Sequence, residues 1–421
     1  MKFLRIGICA ILIFGVAAHG GVEDWARAIL EMGTALLLVA WAARTYLQRQ
    51  EQIVLSPLLL PMSVLSLIVL AQWIFHITAS SYETRMQLLL LLADTIVLFL
   101  TAQAFRTVDD WKQFFWFAMF FGFVVCIFGV LQHLTFNGKI YWVREMHFGG
   151  IPFGPYVNRN HFAAFAELFI PISLVPLLLG KVRRERLFIV GVFTVLQIGS
   201  LLLSASRGGI ASFAVQMAVL ALWLALRRPD RNQLLAGGAV LLVVILLISW
   251  LGVRQIAQRF TALQSLDIST GKRASMRADT LRIFRDHPVI GTGLGTIQIV
   301  FPPYETLYDG KIVNHSHNDY LEALAETGAL GGLCCAWFLV TLFTQAWTRV
   351  APLNRSFTAM LQFSALLGCV GFLVHSLVDF NLHIPVNAML FFVWSYLATA
   401  KIEPSSAVPV EGRIRTRRRN Q

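Results

Sequence analysis

An all-α, polytopic membrane fold of about twelve transmembrane helices follows from three features of this 421-residue sequence. Hydrophobic residues make up 57% of it and charged residues only 14%, against roughly 25% charged in an ordinary soluble domain. That leaves too little polar surface to cover a water-soluble globule. Apolar stretches near the length of a membrane helix, about 20 residues, recur down the whole chain. Lysine and arginine concentrate in alternate connections, as positively charged inner loops require of a chain that crosses back and forth. Solenoids, extracellular scaffolds and cytosolic enzymes are excluded, and a single membrane domain over 1–421 is expected.

Apolar runs bounded by charged or turn residues place the first six spans at roughly 6–18, 26–43, 54–75, 86–105, 114–133 and 161–180. Six more fall near 187–205, 210–226, 234–251, 329–347, 357–377 and 385–400. The first 19 residues also match a cleavable signal peptide, with a basic start, an apolar run and the small residues Val16-Ala17-Ala18. The short Gly20-Gly21 hairpin, which leads straight into the next span, favours retention. Starting inside with Lys2 and Arg5, the inner segments collect Arg44, Arg49, Arg106, Lys112, the Lys181–Arg186 cluster, Arg227, Arg228, Arg231, Arg349, Arg355 and Lys401. Both termini are then inside, and residues 401–421 form a basic cytoplasmic tail.

The net charge of +12 and the arginines of that tail invite a nucleic-acid reading. Basic inner loops and tails fix topology and sit on anionic headgroups, so membrane lipids are the expected partners and nucleic acid is not. The five cysteines, Cys9, Cys126, Cys334, Cys335 and Cys369, lie in apolar stretches, which suggests neither disulfides nor a thiolate metal site.

Two outer segments break the pattern of short connections. One runs from Thr135 to Asn160 and the other over 252–328, between the ninth and tenth spans; long loops in a compact protein are usually functional or disordered. The second carries Ile256, Phe260 and Leu263 on one helical face, then Met276, Leu281, Ile283 and Phe284, so it is expected to be partly helical and to fold back over the membrane surface.

Chemistry gathers in this long loop. The stretch Ser275–Asp286 puts Arg277, Arg282 and Arg285 on a helix that His287-Pro288 ends. The glycine run Gly291-Thr-Gly-Leu-Gly295 permits close backbone approach, either to phosphate or as a tight turn onto the membrane surface. No lysine follows it, so it is no nucleotide-binding loop. Then Asn314-His-Ser-His-Asn318 precedes an amphipathic helix bearing Tyr320, Leu321 and Leu324, which runs into small residues at the next span. His315-x-His317 has the look of a metal pair, but no third ligand lies near in the chain, and capping or hydrogen bonding is the reading preferred for His315. No metal and no cofactor are expected.

Arg207, in Ser204-Ala-Ser-Arg-Gly-Gly209, and Arg159, in Asn158-Arg-Asn160-His161, stand near the outer ends of spans. Ionisable residues there are either functional or snorkelling to headgroups. Asp379 and His383 add polar groups at the same face. Arginine grips phosphate oxygens bidentately at any working pH, so an outward-facing, arginine-rich site beside a bilayer suits a lipid diphosphate. A neutral histidine could then act as general base toward a hydroxyl. Glycosyl transfer from a polyprenyl-diphosphate sugar is the reaction this set supports.

At these residues the sequence resembles the O-antigen ligase and O-antigen polymerase superfamily over roughly Gly149 to Ile402, most closely from Arg277 to Gly331. The ligase motif (His; Asn, Ser or Gln; nine residues; Gly; two residues; Gly, Thr or Tyr) is met by His317, Asn318, Gly328 and Gly331. The tips at Arg207 and Arg159 and the stretch from Arg277 to Gly293 are also similar to members of this family. The resemblance implies a polytopic, GT-C-like fold with a long periplasmic loop in a bacterial inner membrane, its active site facing the periplasm. It implies transfer of a glycan from undecaprenyl diphosphate to the core sugar of lipid A, without metal or nucleotide and with inversion. His317 would take the acceptor proton while Arg207 and Arg277 hold the diphosphate. Arg159, Asn160, Arg282, His315, Asn318 and Asp379 complete the expected substrate-binding set.

The polymerase of the same superfamily is the second reading. Polymerases often show arginine, ten residues, glycine in two outer loops, and only Arg282 with Gly293 meets that spacing here. A protein-glycosylating relative ranks below both, because it usually carries an extra C-terminal domain. A transporter of lipid-linked sugars is the alternative from another class, but no repeated halves are visible.

Overall fold

A computed structural model describes residues 2–49, 52–145, 151–226, 231–250, 263–308, 310–350 and 356–403. The helices are α1 (Lys2–Ala17), α2 (Asp24–Leu47), α3 (Leu59–Ile74), α4 (Ser81–Ala104), α5 (Val108–Leu134), α6 (Arg159–Leu178) and α7 (Leu187–Ser204). They continue as α8 (Arg207–Leu226), α9 (Arg231–Trp250), α10 (Leu263–Asp286), the single turn α11 (Ile297–Val300), α12 (Asp319–Val350), α13 (Phe357–His375) and α14 (Pro385–Thr399). Among the described residues there are no strands, only three isolated bridges.

Each of the twelve expected spans coincides with a helix. Among the described residues, eight helices are long and apolar enough to cross a membrane, and α3 and α14 are apolar but shorter. The protein is therefore a polytopic, helical membrane protein. Exposed Met32, Leu36 and Val39 on α2 form the kind of apolar outer stripe that faces lipid.

Ends are set locally. Thr107 and Asp110 make a capping box at α5, while Ser80 and Ser356 accept from Glu83 N and Ala359 N at the starts of α4 and α13. One boundary differs from expectation: α12 begins at Asp319, ten residues before the apolar run at 329. Hydropathy sees only the apolar part, whereas the amphipathic turn pair Asp319–Thr327 continues into it through Gly328 (φ 64°, ψ −167°). The arginine-bearing helix expected over 275–286 is the last half of α10. Ile256 and Phe260, and the tail arginines 413–419, lie outside the described residues.

α6 is the centre of the bundle, nearly all buried and packed against α7, α13 and α5. It carries Pro171 and Pro176, and a proline leaves the carbonyl four residues back without its helical donor. For Pro171 that carbonyl is Glu167 O, and the Gln216 side chain of α8 donates to it at 3.0 Å and to Leu367 O of α13 at 2.9 Å. Trp394 Nε1 of α14 donates to the neighbouring Leu168 O at 2.8 Å. In an apolar interior such replacements are what make an internal proline tolerable. Gly371 leaves the space for Gln216, since a Cβ there would lie 2.2 Å from its Nε2.

Candidate active site

The site is built on the connection between α13 and α14. Asn318 caps α12, its Oδ1 accepting from Leu321 N at 2.9 Å, and its Nδ2 donates to Leu377 O at 2.9 Å. Asp319 N donates to Ser376 O at 3.0 Å. These bonds clamp the start of α12 onto residues 376–379 and bring His317 to Asp379, with Nδ1 and Oδ1 3.2 Å apart. His317 has a φ of 53°, a left-handed conformation uncommon outside glycine. Phe380 N also donates to Asp379 Oδ1, at 3.0 Å, and Asn160 Nδ2 at the start of α6 donates to Oδ2. Burial would raise the Asp379 carboxyl, but the hydrogen bond and charge of His317, with the charges of His161 and His375, hold it well below the usual carboxylate range.

Phe380 organises three imidazoles. His315 stacks on it at 4.2 Å between centroids, and His317 and His161 meet it edge-on at 5.0 Å and 4.9 Å.

Beside the dyad lies a second network. Buried Glu322 accepts from Ser316 N (2.8 Å) and Ser316 Oγ (3.0 Å) on one oxygen, while its other oxygen faces His315 Nδ1 (2.7 Å) and His383 Nε2 (3.3 Å). The remaining nitrogen of His383 faces Asp319 Oδ1 at 2.9 Å. Burial would lower the His383 pKa, yet the Glu322 carboxylate and the bonded Asp319 carry it up to about 10, so an imidazolium bridges the two acids. His315, Glu322 and His383 offer ligand atoms all within 4.8 Å of one another, a donor set that suits zinc. The group takes in Glu322 and His383 and leaves out His317, so it is not the His315-x-His317 pair of the sequence. As they stand, Glu322 pairs with both imidazoles through one oxygen, and the His315 and His383 rings lie 4.8 Å apart between centroids.

The arginines take different places. Arg207 opens α8, and a Cβ on the adjacent Gly208 would lie 2.7 Å from His375 Nε2 and 3.0 Å from Val378 Cγ2, so the Arg207 tip abuts the segment that presents Asp379. Arg273 of α10 donates to Val378 O at 3.2 Å, and Arg277, half-buried one turn on, donates to Arg273 O at 3.2 Å. Arg159 stands next to Asn160 as the first residue of α6, its N donating to Ile151 O at 2.8 Å. Arg282 instead reaches Asp279 and Tyr304 O, each at 2.6 Å, bracing α10 against the turn Pro302–Tyr304. Arg285 is exposed.

The glycine run serves packing. Gly291, Gly293 and Gly295 all have positive φ; a Cβ on Gly293 would lie 1.9 Å from Thr78 Oγ1, and one on Gly291 2.3 Å from the Glu326 carbonyl carbon. Gln72 of α3 closes the turn, donating to Ile290 O (2.7 Å) and Glu326 O (2.9 Å) and accepting from Leu294 N (3.2 Å). The protein itself fills the space in which a phosphate cradle would hold its ligand, and the tight-turn reading is the one the fold uses.

One segment of the chain, residues 192–336, matches the family model described as O-antigen ligase. It spans α7 to the first half of α12, including Arg207, Arg277 and the His315–Gly328 segment. Over this segment the chain is similar to the O-antigen ligase and polymerase superfamily. A comparison with curated proteins finds no match. The similarity supports a glycan-processing enzyme of the ligase or polymerase kind, set among apolar helices long enough to cross a membrane.

Sequence reasoning missed Phe380 and the roles of Glu322 and Asp319. Their only signal was proximity to the histidines, from residues of ordinary type.

Proposed function

We propose that the protein is an O-antigen ligase, transferring glycan from undecaprenyl diphosphate to the lipid A-core oligosaccharide at the periplasmic face of a bacterial inner membrane. The observation that carries this reading is the His317–Asp379 dyad, fixed from behind by Asn160 and flanked by the Arg207 tip and by α10. With Nδ1 on Asp379, His317 has Nε2 left for an acceptor hydroxyl, and Asp379 fixes the tautomer and stabilises the imidazolium that forms.

The acceptor oxygen attacks the anomeric carbon, its proton passes to His317 Nε2, and the bond from that carbon to the phosphate oxygen breaks. Polyprenyl diphosphate leaves with the electron pair, and in-line attack inverts the anomeric centre. Arg207 and Arg277 grip the diphosphate and stabilise the charge that grows on it, while Arg159 assists from the first turn of α6. Placement and charge neutralisation supply most of the catalysis, because the donor is already activated. Asn160, Asn318 and His315 spend their polar groups on Asp379, the α12 cap and Glu322, so we assign them to positioning the dyad. Arg282 is assigned to bracing α10. No step calls on a metal or a nucleotide. Residues 252–328 act as a periplasmic segment of one membrane domain.

The test is to incubate the purified chain in detergent with undecaprenyl-diphosphate glycan, with and without lipid A-core, omitting metal and nucleotide, and resolve the products by gel. Glycan on lipid A-core, abolished by His317→Ala with donor binding retained, supports the ligase. Longer polyprenyl-linked chains formed without lipid A-core would assign the polymerase of the same superfamily instead. No product in either tube would overturn both.

A further inference from the structure

Between α3, α4, α12 and α14 lies a cavity of about 330 Å³, at the lower end of the size range of small-molecule sites. Its walls are mostly apolar, with Met62 and Leu65 of α3, Leu90 of α4, Phe338 of α12 and Phe391 of α14. Among the described residues, neither dyad residue borders it, nor does any arginine or lysine.

Helix positions give its shape. Glu326, Leu294 and His383 border it at the end of the bundle where the dyad sits. Asp94 lies 13 residues into α4 from Ser81, and Met62 lies 12 residues from Ile74 at the near end of α3. At 1.5 Å per residue, both are roughly 20 Å down. A narrow apolar slot of that length between membrane helices fits an extended hydrocarbon chain, not a sugar.

Charge selects the head. Glu326 Oε1 accepts from Ile297 N at 2.9 Å, but its Oε2 is buried without a hydrogen-bond partner among the described residues, and so is Asp94 Oδ1 at the deep end. A buried polar atom costs free energy until a donor meets it. Asp319 also borders the mouth, where among the described residues no arginine or lysine stands. An anionic headgroup is repelled, whereas an ammonium satisfies the Glu326 oxygen.

We infer that this slot is a second lipid site, holding one chain of a zwitterionic, amine-bearing membrane lipid. Glu326 receives the ammonium, and Asp94 sets a polar floor that limits chain length. The site is separate from the arginine-flanked one, and the inference stands whichever member of the superfamily the enzyme is.

Native mass spectrometry of the full chain in neutral detergent tests it. The chain is offered equal amounts of phosphatidylethanolamine, phosphatidylcholine and phosphatidylglycerol with identical tails, and undecaprenyl phosphate beside them. Phosphatidylethanolamine should be retained about tenfold over the others, the factor that one charge-assisted hydrogen bond supplies. Glu326→Gln should bring it down to the phosphatidylcholine level, and Leu65→Trp, which fills the slot, should remove it. In a second series of phosphatidylethanolamines that differ only in tail length, Asp94→Leu should shift retention toward longer chains.

A photoreactive phosphatidylethanolamine, with its reactive carbon in mid-chain, checks the unaltered protein by labelling peptides that contain Met62, Leu90 or Phe338. Equal retention of all lipids, preference for phosphatidylglycerol or undecaprenyl phosphate, or labelling confined to the outer stripe of α2 would overturn the assignment.

Discussion

His317 keeps a backbone conformation that costs a residue with a side chain about 1–3 kcal/mol, and the bonds around Asn318 and Asp319 hold it there. Such strain is retained where it aims a group, and here the ring is aimed at Asp379. Asp379→Asn preserves shape and the acceptor for Asn160 but removes the charge that stabilises a protonated His317. Turnover in the transfer assay should fall by roughly 10²–10⁴-fold with donor binding little changed; a variant that turns over normally would remove Asp379 from the chemistry. His383 gives a prediction in pH. Its folded pKa, about 10, lies above the unfolded value of about 6.5, so the stability it contributes is complete below about 6.5 and is lost as pH rises through about 10. The melting temperature in detergent should therefore decline between about pH 7 and pH 10, and His383→Gln should flatten that decline. An unchanged slope in the variant would assign the loss to other groups. His317, Asn318 and Gly328 were legible because they lie in one contiguous motif. The pairing with Asp379 was not, because the partner is 62 residues away and only the packing of α12 on the α13–α14 connection brings it close.

Among elements, the glycine turn Gly291–Gly295 shows what sequence pattern resolves and what it leaves open. Three glycines in five residues announce a special backbone, and the alternatives of phosphate cradle and tight turn differ only in what faces the bare Cα atoms. Thr78, Gln87 and the Glu326–Thr327 backbone do so, a fact of tertiary packing that no local pattern encodes. Gly293→Ala would force a Cβ toward Thr78 at a φ of +106°. It should cost about 1–3 kcal/mol and loosen the turn from α12, lowering both the melting temperature and glycan transfer. Gly191→Ala in α7, where a Cβ would meet nothing within 4 Å, is the matched control and should leave both unchanged. Equal behaviour of the two variants would mean that the turn does not brace the site. The α12 boundary teaches a related point: hydropathy marks where a helix becomes apolar, whereas the helix itself starts where Asn318 supplies a cap.

At the scale of the whole molecule, the all-helical, membrane-spanning architecture was the most legible property, since apolar composition and length decide it without reference to neighbours. Sidedness is a separate inference, drawn from the placement of lysine and arginine, and the proposed chemistry depends on it, because the donor must be reached from the periplasm. The proposed site residues His317 and Asp379, Arg207 at the start of α8, and the turn Pro302–Tyr304 stand at one end of the bundle, while the Lys181–Arg186 cluster joins α6 to α7 at the other. Single cysteines can report on the two ends, because the native cysteines all lie within helices and Cys126, Cys334 and Cys369 are buried. Tyr308, highly exposed beside the Pro302–Tyr304 turn, and Glu185, exposed within the basic cluster, are suitable positions. In intact cells whose outer membrane has been opened, a charged maleimide that cannot cross the inner membrane should label Tyr308→Cys, and it should label Glu185→Cys only after that membrane is permeabilised. The reverse pattern would place the dyad and its arginines in the cytoplasm, where lipid A-core attached to the outer leaflet could not reach them, and the ligase reading would fail however well the isolated protein bound its donor.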